Sequence, residues 1–169
     1  MAKKEPTPIT YKSKVYKLEH LNGHYLEVPP DVIDHFGGTF KVRVVCKLND
    51  NLTFQTGFIA LGNGSGYINL SNARMKKLGI KLKDTVTVTL KKDESKYGFD
   101  VPPELKELLA QDEEGMRRFK MLTPGKQRYI IYYVNGVKSS QLKIERAVRL
   151  ITNLKNTREG KESFREILA

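Results

Sequence analysis

The sequence predicts an α+β protein, a small β-barrel of about six strands followed by an all-α helical domain. Three observations predict it. Up to residue 91 apolar and polar residues alternate with a period of two, in segments rich in β-branched and aromatic side chains. From Pro102 onward the apolar period lengthens to about 3.6. Between the short segments of the first part stand clusters of Asn, Asp, Gly and Pro, the residues that turn a chain.

The elements follow in order. Residues 1–10, with Pro6 and Pro8, read as a frayed tail, residues 11–91 as the barrel, 92–100 as a polar linker and 101–169 as the helical domain. Lys14 to Val28 reads as two strands joined at Asn22-Gly23, with Tyr16 and Leu18 on one face. Pro29-Pro30 ends the second strand, because proline offers no amide to a ladder, and Asp31 to Phe36 before Gly37-Gly38 reads as one helical turn. Phe40 to Leu48 and Leu52 to Phe58 form a second hairpin around Asn49-Asp50-Asn51. Tyr67 to Leu70 resumes the sheet after a glycine cluster. Ser71-Asn72 caps a short helix that ends at Gly79, and Thr85 to Leu90 alternates, with Val86, Val88 and Leu90 on one side.

In the second part Leu105, Leu108 and Leu109 fit a helix starting at Pro102-Pro103, and Met116 and Phe119 fit one starting after Asp112. Thr123-Pro124 is an N-cap with proline in the first turn, and Gly136 stops that helix. A further helix, capped near Ser139-Ser140, is expected to bury Ile144, Ala147, Val148, Ile151 and Leu154 as one stripe. Phe164, Ile167 and Leu168 mark a last short helix.

Composition narrows the function classes. A chain of 169 residues with 39% hydrophobic and 29% charged residues builds its own core. Its single cysteine, Cys46, excludes an internal disulfide framework and a cysteine-based zinc site. No segment reaches the roughly 18 apolar residues of a membrane span and the N-terminus lacks the apolar core of a signal peptide, so the expected location is the cytoplasm, with no membrane partner.

Catalysis needs a nucleophile with its base, or paired carboxylates in a shaped setting. Asp31, Asp34 and His35 read as a solvated turn, Ser71 as a helix cap and Cys46 as a mid-strand thiol, so no enzyme is expected. Leu61-Gly-Asn-Gly-Ser-Gly66 is neither a dinucleotide-binding nor a Walker loop, and reads as a strand connection. His20, His24 and His35 lack the further ligands that a metal site requires, so neither metal nor cofactor is expected.

The net charge of +11 is concentrated late in the chain. Between residues 123 and 158 Lys126, Arg128, Lys138, Lys143, Arg146, Arg149, Lys155 and Arg158 face a single acid, Glu145. Tyr129, Tyr132 and Tyr133 are interleaved with them. Charge mixed with rings suits a phosphate backbone and stacked bases, with Arg146 and Arg149 on phosphates, Lys126, Arg128, Lys138 and Lys143 widening the patch, and Tyr132 as a stacking ring. The competing readings are a solvated helix face with tyrosines closing a core, and an interaction module for an acidic protein. One chain suffices for the barrel, so a monomer or a weak homodimer is expected.

Two stretches resemble known families. His24-Tyr-Leu-Glu-Val-Pro-Pro30, Gly64-Ser-Gly-Tyr-Ile-Asn-Leu70, Ala73-Arg-Met-Lys-Lys-Leu-Gly-Ile80 and Asp84-Thr-Val-Thr-Val88 resemble a bacterial domain of unknown function. That resemblance implies a small double-split β-barrel akin to AbrB-type transcription regulators. Val101-Pro102, Leu122-Thr-Pro-Gly-Lys-Gln-Arg-Tyr129, Glu145-Arg-Ala147 and Gly160-Lys161 with Phe164 resemble the bacteriocin-protection family called YdeI or OmpD-associated. Where many members of that family carry Thr-Arg at the start of the basic helix, this chain has Leu142-Lys143. The resemblance implies a fold and a link to stress or bacteriocin protection, and assigns no reaction.

Overall fold

A computed structural model describes residues 5–20 and 22–169 and divides the chain into two units, residues 1–94 and 95–169. The first unit is one curled antiparallel sheet, a half-barrel, of seven strands: β1 (Ile9–Lys17), β2 (His24–Val28), β3 (Arg43–Leu48), β4 (Leu52–Gly57), β5 (Ile59–Ala60), β6 (Gly66–Leu70) and β7 (Thr85–Lys92). The spatial order is β4-β3-β7-β1-β2-β6-β5, so β4 and β5 are its edges. Two short helices, α1 (Pro30–His35) and α2 (Asn72–Leu78), interrupt the strands.

Alternation sets the inner face. Val15, Leu26, Val28, Val44, Cys46, Leu48, Ile68, Leu70, Val86, Val88 and Leu90 are all buried, and α1 and α2 add Val32, Ile33 and Met75. Each fully buried aliphatic side chain contributes about 1.5–3 kcal/mol relative to exposure. Asn49 and Asp50 take left-handed backbone angles and carry β3 directly into β4, as their side chains permit. Ser71 accepts from the Arg74 amide to cap α2, and Gly79 closes that helix in the left-handed region.

Three expectations change here. Ile9 and Thr10 pair with Leu90 and Thr89, so β1 begins inside the stretch read as a frayed tail, of which residues 1–4 lie outside the described residues. Asn22-Gly23 is no two-residue turn: β1 stops at Lys17, and the Leu18 amide donates to the Gly23 carbonyl across a longer loop that leaves Leu18 beyond the strand. A seventh strand, β5, pairs through Ile59 and Ala60 with Tyr67 and Gly66, too short a segment to carry an alternation signal.

The second unit contains α3 (Pro103–Gln111), α4 (Glu113–Met121), α5 (Pro124–Asn135), α6 (Ser140–Asn156) and α7 (Phe164–Ile167). Helix α6 packs against the other four. Gly115 admits α6 to α4, since a Cβ there would stand 2.6 Å from Ile151 Cγ2. Tyr97 and Phe99, from the stretch read as a linker, pack on this core, Tyr97 edge-on to Phe119 at 5.5 Å between centroids.

The buried stripe of α6 is Ala147, Leu150, Ile151 and Leu154. Ile144 and Val148, expected inside, are 42% and 45% exposed. They lie on the shoulder that faces α3, in a shallow groove shared with Pro103, Glu104, Glu107 and Leu108. The apolar pattern of α6 is wide enough to fit both positions, and the four packed neighbours select Leu150 over Val148.

Candidate functional site

The site is assembled where α5 ends and α6 begins. Thr123 caps α5 by accepting from the Lys126 amide, and Pro124 occupies its first turn. Ser139 caps α6 by accepting from the Leu142 amide. On α6 the spacing of three between Lys143, Arg146 and Arg149 keeps them on one side of the helix.

Tyr133, on the last turn of α5, organises the two arginines. Arg146 Nη1 donates to the Tyr133 carbonyl at 2.7 Å, and its guanidinium lies 4.3 Å from the centre of the Tyr133 ring. Arg149 Nη2 donates to the Tyr133 hydroxyl at 2.9 Å, with its guanidinium 5.8 Å from the same ring centre. Arg146 thereby adds a second donor to a carbonyl that already accepts from the Gly136 amide at 3.3 Å, and places positive charge at the negative pole of that helix. Gly136 clears the approach, because a Cβ there would stand 3.1 Å from Arg146 Nη1.

Among the described residues neither arginine forms an ion pair with a carboxylate. Glu145, the nearby acid in sequence, accepts instead from Gln141. Two like charges are therefore held on one ring with no counter-charge, which opposes stability in the free protein and favours an anion brought from outside. Each guanidinium carries five N–H donors in a rigid fork, and the bonds to Tyr133 leave part of each fork free for phosphate.

The other expected residues disperse. Lys126 Nζ donates to the Glu162 carbonyl at 2.5 Å and serves as a tie to the segment before α7. Lys143 is half-buried beside Glu104, whose carboxyl is held below its ordinary range by its own backbone amide, by Ser140 and, more weakly, by Lys143. Arg128 is half-buried, and Lys138 is exposed in the turn between the helices. Tyr132 is 65% exposed, with its ring 6.5 Å from that of Phe99.

Sequence reading missed the largest buried charge. Arg118 of α4 is 3% exposed and donates to the carbonyls of Lys155 and Thr157, to the Thr157 hydroxyl and to Glu162 Oε1 at 3.4 Å. It closes the C-terminal end of α6, where carbonyls lack partners. Lys155 pairs with Asp112 at 2.6 Å, so it too holds structure together.

Burial pushes the Cys46 thiol up to about 12, against a weaker opposing pull from Arg74, so the thiolate nucleophile does not form near neutral pH. Among the described residues no group of three or more His, Cys, Asp and Glu side chains could hold a metal ion, and no helix is long and apolar enough to cross a membrane. In the glycine loop Asn63 Oδ1 accepts from the Ser65 amide and Leu61 donates to the Ser65 carbonyl, which closes the turn from β5 into β6.

Comparison with known proteins gives two matches that between them span most of the chain. Residues 11–90 match a domain of unknown function (DUF1905). Residues 98–157 match the family described as bacteriocin-protection, YdeI or OmpD-associated. No curated protein matches the chain. Region by region, the chain is similar first to the family of unknown function and then to the bacteriocin-protection, YdeI or OmpD-associated family.

Proposed function

We propose that this is a non-enzymatic cytoplasmic binding protein that holds a polyanion, nucleic acid foremost, on the α5–α6 surface. The observation that carries the reading is the pair of guanidiniums of Arg146 and Arg149 fixed on Tyr133, with no carboxylate paired to either among the described residues. Phosphates bring the missing charge and release counterions on binding. Lys138 and the exposed ring of Tyr132 supply further contact. The proposal includes kinship of the sheet unit with AbrB-type double-split barrels, supported by the motifs in His24–Pro30 and Gly64–Leu70.

The test is fluorescence anisotropy of labelled single- and double-stranded DNA and RNA against the pure protein. Binding at micromolar concentration or tighter in about 50 mM salt, weakening by orders of magnitude at about 200 mM, is the expected result. Absence of binding at the lower salt overturns the reading.

A second reading, a protein-interaction module in a bacteriocin-protection response, is favoured by the groove between α3 and α6. Leu108, Ile144 and Val148 line it together with the carboxylates of Glu104 and Glu107. Its acidic lining suits a basic amphipathic segment rather than the acidic partner that net charge alone suggests. Saturable, salt-tolerant binding to one protein, abolished by Val148→Glu, is the outcome that replaces the first reading with this one.

A further inference from the structure

The outer face of the sheet carries three tyrosines that the α5–α6 site does not use. Tyr16 of β1 and Tyr25 of β2 are direct cross-strand partners, and Tyr67 of β6 lies two residues from Asn69, the partner of Tyr25. The Tyr16 and Tyr25 rings lie 5.4 Å apart at 25° to each other, and the Tyr25 and Tyr67 rings 5.3 Å apart at 59°. Alternation fixes their direction: Val15, Leu26 and Ile68, next to them in each strand, are at most 1% exposed on the opposite face.

Cross-strand ring pairs stabilise a sheet by themselves, and that accounts for the contact between the rings. It does not account for the charge beside them. Lys12 and Lys14 share the outward phase of Tyr16 on β1, and both line, with Tyr16 and Glu27, a depression of about 320 Å³. Glu27 shares the depression with them, and Glu19 adds a second acid near Tyr25. The Tyr25 hydroxyl is pushed above its ordinary value by burial and by Glu27, Tyr16 and Glu19, so it remains a neutral donor.

A row of rings bordered by lysines on an open sheet is the arrangement by which sheets hold unpaired bases, with rings against bases and ammonium groups on phosphates. We propose that the outer face of β1, β2 and β6 is a second binding site, a stacking platform for single-stranded nucleic acid. It stands on a different unit from Arg146 and Arg149 and on different observations, so either site can fail while the other holds.

The experiment uses the full chain and three probes: oligothymidylate and oligouridylate of about 12 nucleotides, within the site sizes of such sheets, and an abasic deoxyoligonucleotide of the same length. The abasic probe keeps the phosphates and removes the stacking surface. The expected result is that oligothymidylate binds at least about tenfold more tightly than its abasic twin, and that Tyr25→Leu with Tyr67→Leu removes this difference. Tyr25→Phe with Tyr67→Phe keeps it, whereas Arg149→Ala weakens every probe alike. Oligouridylate compared with oligothymidylate tells whether RNA or DNA is preferred. Equal binding of base-containing and abasic probes overturns the proposal, as does a difference that survives the double leucine variant. Should that variant fail to fold, tyrosine emission of a Tyr132→Leu variant decides, since the chain has no tryptophan and that substitution removes the stacking ring of the α5–α6 surface. Quenching by oligothymidylate but not by the abasic probe supports the platform, and equal emission with both refutes it.

Discussion

The sheet unit and the helical unit bury different chemistry. Among the described residues of the first, the polar side chains inside are the small hydroxyls of Ser13 and Ser65, while aliphatic residues on alternating positions fill the rest. The helical unit places Arg118, Thr157 and Glu162 inside, and joins α4, the end of α6 and the segment before α7 through them. Outside that network Arg117 pairs with Glu114 and Glu159, and Lys155 with Asp112. The interior of the sheet is held by packing, and its ion pairs, Lys47 with Asp50 and Lys92 with Glu5, lie at the surface. The helices depend also on buried and half-buried carboxylates, which makes them the part of the molecule that responds more strongly to acid.

The largest expected effect comes from breaking the buried network. Arg118→Ala leaves the Glu162 carboxylate and the carbonyls of Lys155 and Thr157 without their donor, and is expected to destabilise the helical unit by about 3–5 kcal/mol. Leu90→Ala, at a fully buried position of β7, is expected to cost the sheet about 2–5 kcal/mol by transfer and cavity formation. Urea denaturation followed by amide NMR, which reads the two units separately, checks both. Equal loss in both units for either variant would show that they unfold as one.

Acid sharpens the contrast further. Burial raises the Glu162 carboxyl, but hydrogen bonds from its own amide and that of Gly160, and the Arg118 guanidinium, outweigh this and hold it below its ordinary range. Asp112 is held down first by Lys155 and then by the Gly115 amide. A folded value below the unfolded one contributes stability that is fully present above the unfolded value, about 4.3 for Glu and 3.9 for Asp. That stability is lost as pH falls through the lower folded values. In the sheet unit Glu5 is lowered by Glu94 and Lys92 while Glu94 is raised by Glu5, and both lie at the surface, where solvent screens their interactions. The helical amide signals are therefore expected to collapse at a higher pH than those of the sheet, and Glu162→Gln should reduce the separation. Simultaneous collapse in the wild type would contradict this.

The smallest expected effect is at Val148. With 45% of its surface exposed, Val148→Ala should change stability by no more than about 0.5 kcal/mol, whereas Leu150→Ala, two residues further on and in the packed stripe, should cost about 2–5 kcal/mol. Thermal denaturation of the pair tests the rotation of α6 directly.

The same contrast explains what the sequence revealed. Alternation in Thr85–Lys92, the turn residues Asn49 and Asp50 and the caps Ser71, Thr123 and Ser139 are local signals, and each marks its element in the structure. Arg146 and Arg149 were legible as a basic pair, but not their fixation by Tyr133, which needs the end of α5 to meet α6. Arg118 was hidden because a buried arginine resembles a surface one until its carbonyl partners, some forty residues later, are known. The tyrosine platform was hidden because register between distant strands joins Tyr16, Tyr25 and Tyr67, and no local pattern encodes that register.

Arg149→Ala is the cleanest probe of the paired guanidiniums, because Arg149 is exposed while Arg146 also closes α5. The decisive measurement is the salt dependence of single-stranded DNA binding, wild type against this variant, between about 50 and 200 mM salt. The expected result is weaker binding by the variant, a salt slope shallower by about one counterion and an unchanged melting temperature. Identical affinity and slope in the two proteins would contradict the assignment of Arg146 and Arg149 to an anion.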